Sequence, residues 1–251
     1  MKLSLATVRY GRSFRWLQET GSTNDEARSA ALSGAPNGHV VLAERQLRGR
    51  GSNGRSWSSP AGQDLFVSIV DRPALALPQL PPLTLAVGLG VARAVETLLP
   101  GVRAEVKWPN DVLLHGSKKC AGILVEASTS GTSVESLVIG IGLNVNRLEF
   151  DEELRDIATS LRAERPGQEP YDRAHVLAEL LLCVERQVDR FVERGPADTV
   201  GELAPRLALI GKRARCGEVE GEVAGVSPSG ALLMRTASGT CELHAGRLEA
   251  L

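Results

Sequence analysis

Residues 46 to 57 read QLRGRGSNGRSW and set three glycines (Gly49, Gly51, Gly54) and three arginines (Arg48, Arg50, Arg55) between two strand-like runs, HVVLAE and DLFVSIV. Glycine lets a backbone take positive φ and approach a ligand closely, and arginine offers a rigid fork of donors to phosphate or carboxylate. A loop of this composition is suited to holding an anion: a nucleotide phosphate, an acyl phosphate or nucleic acid. Taken alone it also fits a solvated hairpin connection. Trp57 argues against that, since a large aromatic at the end of a loop needs a packing site.

Four further stretches place polar groups in apolar, strand-like surroundings: STN at 22–24, KWPND at 107–111, KCAGILVE at 119–126 and GIGLNVN at 140–146. A lysine leading into an apolar strand needs a partner or a task, because burying an unpaired charge is costly. Lys107 and Lys119 both fit that description, although an edge-strand lysine with its head in water fits too. Two lysines together with the loop arginines can offset the charge of a triphosphate and of a reacting phosphorus. There is no GxxxxGK[ST] run, no GxSxG elbow and no zinc-type Cys/His cluster. GRGSNG leads into a strand instead of a helix, which argues against a dinucleotide fingerprint.

The elements that must position these groups follow from periodicity. A strand is expected around Trp16 and Leu17, then a helix over STNDEARSAALSG that Ser22, Thr23 or Asn24 can cap and Gly34 can stop. Strands near 39–44 and 64–71 flank the Gly/Arg loop, and a helix spans 83–99 before Pro100 and Gly101. RAEVKW is a short strand, VLLHGSKKCAGILVEA a hairpin and LVIGIGLNV one more buried strand. Residues 151 to 206 look charged and helical, most clearly from Ala174 to Phe191. From Ile210 onward short β-type runs alternate with turns, as in a small all-β unit.

Composition sets bounds. Of 251 residues, 43% are hydrophobic and 24% charged, and the net charge is −1: ordinary globular values, and no polycation built to coat nucleic acid. The four cysteines are scattered without a CxxC pair and no secretory segment is evident, so reduced thiols in a cytoplasmic protein are expected. The longest apolar run, LTLAVGLGVARAVETLL, is interrupted by Arg93 and Glu96 and reads as a buried helix, so no membrane partner is expected.

Taken in order, these motifs match a family. QLRGRGSNGRSW resembles the GRGRxGRxW signature of biotin protein ligases, and STN, KWPND, KCAGILVE and GIGLNVN stand in that family's order and approximate spacing. The resemblance is strong over residues 16 to 161, and the β-rich end is similar to the family's C-terminal SH3-like domain. It implies an α/β fold: a mixed-sheet catalytic domain over 1–208 covered by helices, and a small barrel over 209–251. Only 21 residues precede Ser22, which implies the monofunctional form without a DNA-binding domain and no DNA partner. A homodimer is compatible with the sequence.

The resemblance further implies that biotin and ATP, with Mg²⁺, give biotinyl-5'-AMP and pyrophosphate, and that biotin then passes to a lysine of a biotin carboxyl carrier protein. Lys119 would contact the biotin carboxylate and the phosphate, and Arg50 and Arg55 would belong to the loop that closes on the adenylate. Ser22, Thr23, Asn24 and Gln46 would bind the ureido ring, whose carbonyl and two NH groups suit short hydroxyl and amide side chains. Gly49, Gly51, Ser52 and Gly122 would lie in the same biotin-contacting stretches, and Trp57 would wall the thioether ring and valeryl chain. Lys107, Asn110 and Asp111 would sit beside the phosphates, with Asp111 a candidate to hold metal or to take the proton of the incoming lysine; Asn144 would lie at the nucleotide end. Ser52 stands where the signature has its second arginine, which implies a more loosely held adenylate unless Arg48 substitutes. The rival readings are a lipoate or octanoate ligase or transferase of the same fold, a biotin-binding protein without activity, and an RG-rich nucleic-acid binder.

Overall fold

The computed structural model describes residues 4–131 and 133–251; the first three residues of the expected catalytic domain lie outside it. Seven strands form a mixed sheet: β1 (Phe14–Thr20), β2 (Val40–Gln46), β3 (Leu65–Asp71), β4 (Ala104–Lys107), β5 (Asp111–Leu114), β6 (Lys118–Ser130) and β7 (Ser133–Leu143). Their order is β1-β2-β3-β7-β6-β5-β4. Only β1 and β2 pair in parallel, and the crossover this requires is α1 (Thr23–Leu32); every other pairing is antiparallel.

Alternation along the strands decides which face each residue serves. Val40, Leu42, Leu65, Val67 and Ile69 face a large core closed by α2 (Leu80–Leu98) and α3 (Arg173–Arg194). Val41, Val70 and Val138 face the other way and pack under Ala27 of α1. Leu83, Leu85 and Leu89 of α2 are wholly buried, each worth about 1.5–3 kcal/mol of transfer free energy. Because β3 alternates, Ser68 lies on the α1 face, paired with Gly140 of β7. In turn Gly122 of β6 pairs with Gly142 of β7. This leaves a floor without side chains beside α1.

One expectation is corrected. Residues 151 to 172 are turns and irregular chain, and helix begins only at Arg173, followed by α4 (Pro196–Leu203). Pro166 and Gly167, the latter with φ 83°, interrupt any helix, and the backbone of 157–159 is committed instead to pairing with Lys119. The C-terminal unit is an antiparallel sheet of β8 (Arg213–Cys216), β9 (Val219–Val226), β10 (Leu232–Thr236), β11 (Gly239–Leu243) and β12 (Leu248–Ala250). Its order is β11-β10-β9-β8-β12. Trp108, buried at the β4–β5 turn, ties the two sheets by donating from Nε1 to the Gly230 carbonyl at 2.9 Å.

Candidate active site

On the α1 face lies a cavity of about 300 Å³. Its floor is the glycine pair of β6 and β7. The Trp57 ring lies flat against it: a Cβ on Gly142 would stand 2.5 Å from the ring's Cε2, and one on Gly122 2.7 Å from Cζ3. Gly140 is bare for a related reason, since a Cβ there would collide with the Asn24 amide. The loop reaches this position because Gly49 is also bare; a Cβ there would meet the Trp57 carbonyl at 2.7 Å, while the Gly49 carbonyl accepts from the Trp57 amide at 2.8 Å. Gly49 is thus a crossing point of the backbone and does not line the cavity.

One end of the cavity carries short polar groups from the start of α1. Ser22 occupies the N-cap position with extended backbone, yet its side chain caps nothing. The capping role that its sequence position suggested is not used, and the buried hydroxyl lines the cavity. Thr23 donates from both its amide (2.8 Å) and its hydroxyl (3.0 Å) to Gln46 Oε1. Beneath them the Ser68 hydroxyl donates to Thr23 Oγ1 (2.8 Å) and Asn24 Oδ1 (2.6 Å), and Asn24 Nδ2 donates to Glu126 Oε2 at 2.7 Å. Glu126 also takes Arg50 Nη2 at 3.1 Å, while Asp25 takes the same nitrogen at 2.8 Å. The Gly/Arg loop is therefore tied by ion pairs as well as by the Gly51 amide donating to the Arg55 carbonyl.

Cations gather at the middle and far end. Lys119 Nζ is 2.6 Å from Asp111 Oδ1 and 5.0 Å from the Trp57 ring centroid. Lys119 thus partners the buried Asp111 Oδ1, whereas Trp57 Nε1 is a buried donor lacking an acceptor. Lys107 faces Asp111 across the β4–β5 hairpin. Burial pushes its pKa below the usual 10.5 against the pull of Asp111, and the nearby Arg247 and Lys119 charges add to the shift. Asn110 lines the cavity with its amide committed to the Ile123 carbonyl at 2.9 Å, and Asn144 with its own committed to Thr159 O at 2.9 Å. Arg55 and Ser52 line it together, Arg55 Nη2 donating to Ser52 Oγ at 3.1 Å. Arg48 does not take the place of the absent arginine: it packs over Gly21, outside the cavity lining.

Of the residues singled out in the sequence, Arg48, Gly49 and Gly54 stand outside the lining and the others line this one cavity. Several lining groups were not foreseen. Arg147, 5% exposed, is neutralised by wholly buried Asp64 through bonds of 2.9 and 2.5 Å, and stacks 5.0 Å from the Phe150 ring. Phe150, Leu154, Ile157 and Ala158 give the far end an apolar wall, and Gly246, Arg247 and Leu248 reach it from the C-terminal sheet. The alternating glycines of GIG carried a usable signal, since glycine inside a strand marks a close approach. For Arg247 the sequence held no signal. Among the described residues no cluster of three His, Cys, Asp or Glu side chains is placed to hold a metal, and no helix is long and apolar enough to cross a membrane.

A cavity with short amides and hydroxyls at one end, an aromatic wall, and two lysines with arginines at the other suits a ligand that is polar, then apolar, then anionic. The sequence profile of the biotin/lipoate A/B protein ligase family matches residues 16–144. The bifunctional ligase/repressor of Bacillus subtilis is 34% identical over 255 residues, covering 99% of this chain and 77% of that protein. The chain belongs to the biotin/lipoate A/B protein ligase family. As a member it is an enzyme of the ligase class. The biotin–[acetyl-CoA-carboxylase] ligase of Paracoccus denitrificans is 37% identical over 239 residues, with 89% and 94% of the two chains covered. A biotin protein ligase from Aquifex aeolicus, solved in complex with biotin and ATP, superposes with a TM-score of 0.82 at 30% identity, covering 96% of this chain and all of that one.

Proposed function

We propose that this ligase joins biotin to ATP, giving biotinyl-5'-AMP and pyrophosphate, and then transfers biotin to one lysine of a biotin carboxyl carrier protein. The observation that carries the reading is the sequence of chemistries along a single cavity, from Gln46 and Ser22 through Trp57 to Lys119. In the first step a biotin carboxylate oxygen attacks the α-phosphorus and the bond to pyrophosphate breaks. Lys119 lies where it can hold both anions, and Lys107, Arg50, Arg55 and Arg247 supply further positive charge as the reacting oxygens crowd together. The unpartnered Trp57 Nε1 offers one more donor. In the second step the carrier lysine attacks the acyl carbon, AMP leaves, and the amine proton passes to a base, for which Asp111, the carboxylate paired with Lys119, is the candidate. The wall of Phe150, Leu154 and Ile157 takes the adenine face, with Asn144 beside it.

Among the described residues, Asp111 is the only carboxylate lining the cavity. That fits Mg²⁺ arriving with the nucleotide, since Mg²⁺ commonly binds through one or two carboxylates plus substrate phosphates and keeps its waters. When bound it would neutralise phosphate charge. With serine at 52 and Arg48 turned away, Arg50 and Arg55 alone hold the loop side of the adenylate, so Ser52→Arg should slow adenylate dissociation. We place the domain boundary after Ala208, because Leu207 and Ala208 still pair with Val106 and Leu209 then turns with φ 65°. The ligase is proposed to act in the cytoplasm, and a homodimer is compatible with the sequence.

The deciding experiment is pyrophosphate release from ATP with biotin, lipoate or octanoate supplied separately, with Lys119→Ala alongside. Release with biotin only, abolished in the variant, is the expected outcome. Release with lipoate or octanoate moves the assignment to the other branch of the family, and none with any acid leaves a binding protein.

A further inference from the structure

Lys119, in β6, and Asn144, which follows β7, both bond to a three-residue segment of the irregular chain before α3. The Lys119 amide donates to the Ile157 carbonyl at 2.8 Å and the Thr159 amide donates back to the Lys119 carbonyl at 3.0 Å, forming a short parallel bridge that clamps the lysine backbone on both sides. The carbonyl of the same Thr159 accepts from Asn144 Nδ2. One segment therefore sets a cation and an amide of the cavity at once.

The segment belongs to neither sheet nor helix; backbone bonds to Lys119 and, just beyond it, from Leu161 and Arg162 to Asn144 and Val145 hold it, and a side-chain anchor adds to them. Thr159, 3% exposed, donates from its hydroxyl to Glu164 Oε1 at 2.5 Å. The other oxygen of Glu164 lies 2.6 Å from His115 Nε2, at the exposed β5–β6 turn, where His115 has φ 52°. The Glu164 side chain is 13% exposed and that of His115 60%. A chain of bonds thus runs from a surface imidazole through a largely sheltered carboxylate to the backbone that holds Lys119.

We propose that Glu164 is a positioning residue for the adenylation step: through Thr159 it fixes segment 157–159 and so sets Lys119 and Asn144 against the nucleotide. This rests on the proposed ligase reading. Glu164 does not line the cavity, so it acts through Thr159 and touches no substrate. Misplacement of a charge-bearing group by about 1 Å is enough to cost up to a hundredfold in rate. The groups at the ureido end, Gln46 and Thr23, are held by a separate set of bonds through Ser68 and do not share this anchor.

The test compares Thr159→Val, Thr159→Ser, Glu164→Ala and Glu164→Gln with the wild-type chain, measuring pyrophosphate release with biotin and ATP, ATP binding by calorimetry, and thermal midpoint. Thr159→Val keeps the volume and removes the hydroxyl. It should weaken ATP binding and lower kcat/KM for ATP by about ten- to hundredfold while leaving KM for biotin within about twofold. Thr159→Ser and Glu164→Gln, which keep a donor and an acceptor, should recover most of the loss, and Glu164→Ala should not. If Thr159→Val fails to fold, the contrast between Glu164→Ala and Glu164→Gln carries the comparison. A lower thermal midpoint with unchanged ATP binding and unchanged kcat/KM overturns the proposal, as does an equal rise in KM for both substrates. A wild type that binds ATP without turnover refutes the ligase reading while the binding comparison still tests the anchor; one that neither binds nor turns over refutes both.

Discussion

Lys107 and Lys119 bring the same charge to the cavity from neighbouring strands but meet different surroundings. Lys119 has Asp111 at 2.6 Å and the Trp57 face behind it. Lys107 is buried near two other cations, and its pKa falls as a result. The sign of the consequence follows directly. In the free protein Lys107 gives up its proton at a pH below 10.5, whereas a phosphate held beside it favours the charged form and raises its pKa again. ATP binding should therefore take up a proton in the alkaline interval between the two values, and affinity should fall as pH rises through the lower one. Calorimetry in buffers of different ionisation enthalpy reads this uptake; it should vanish in Lys107→Met, and uptake that survives there would assign the proton to another group. Both lysines were legible as candidates because each stands at an apolar strand, but their different environments were not, since Arg247 is 140 residues from Lys107 in the chain.

The strands β6 and β7 work as a floor because of what they omit. Gly122 and Gly142 face each other in register, and the Trp57 ring occupies the space their side chains would fill. Gly142→Ala should leave the antiparallel pairing intact, since alanine adopts strand geometry, yet the new methyl would stand 2.5 Å from the indole. Overpacking of this kind costs about 1–3 kcal/mol, and if the ring moves that energy appears as weaker biotin binding of about ten- to hundredfold. Titration of biotin by tryptophan fluorescence, with circular dichroism to check the fold, measures it; unchanged affinity would remove Trp57 from the biotin wall. The loop itself was readable as an anion-binding element from its arginines and glycines. That Gly49 serves the crossing with Trp57 and not the ligand was not readable, because the need for glycine there comes from a backbone eight residues on.

At the level of the whole molecule the C-terminal sheet completes the cavity. Trp108 holds it through the bond to Gly230, and the segment Gly246–Leu248 lines the cavity together with Lys107. Trp108→Phe keeps the ring packing but leaves a carbonyl without its donor, at a cost of about 1–3 kcal/mol. Urea unfolding should show that loss, and KM for ATP should rise with it; a stability loss without any change in KM would mean that Arg247 plays no part with the nucleotide. The sequence by itself determined the order of elements and the motif residues, because strand alternation, helix periodicity and glycine–arginine loops are local properties that survive without knowledge of the fold. The motif residues proposed for the site, Gly49 excepted, line a common cavity. Only the tertiary structure decided the rest. Residues 151 to 172 give up the helix their charges suggested because their backbone pairs with Lys119 and their apolar groups wall the cavity. Arg147 tolerates burial only because Asp64, 83 residues earlier, supplies the opposite charge. The C-terminal strands join into one antiparallel sheet through pairings such as β8 with β12, and pairing between distant strands is not encoded in the alternation of either one.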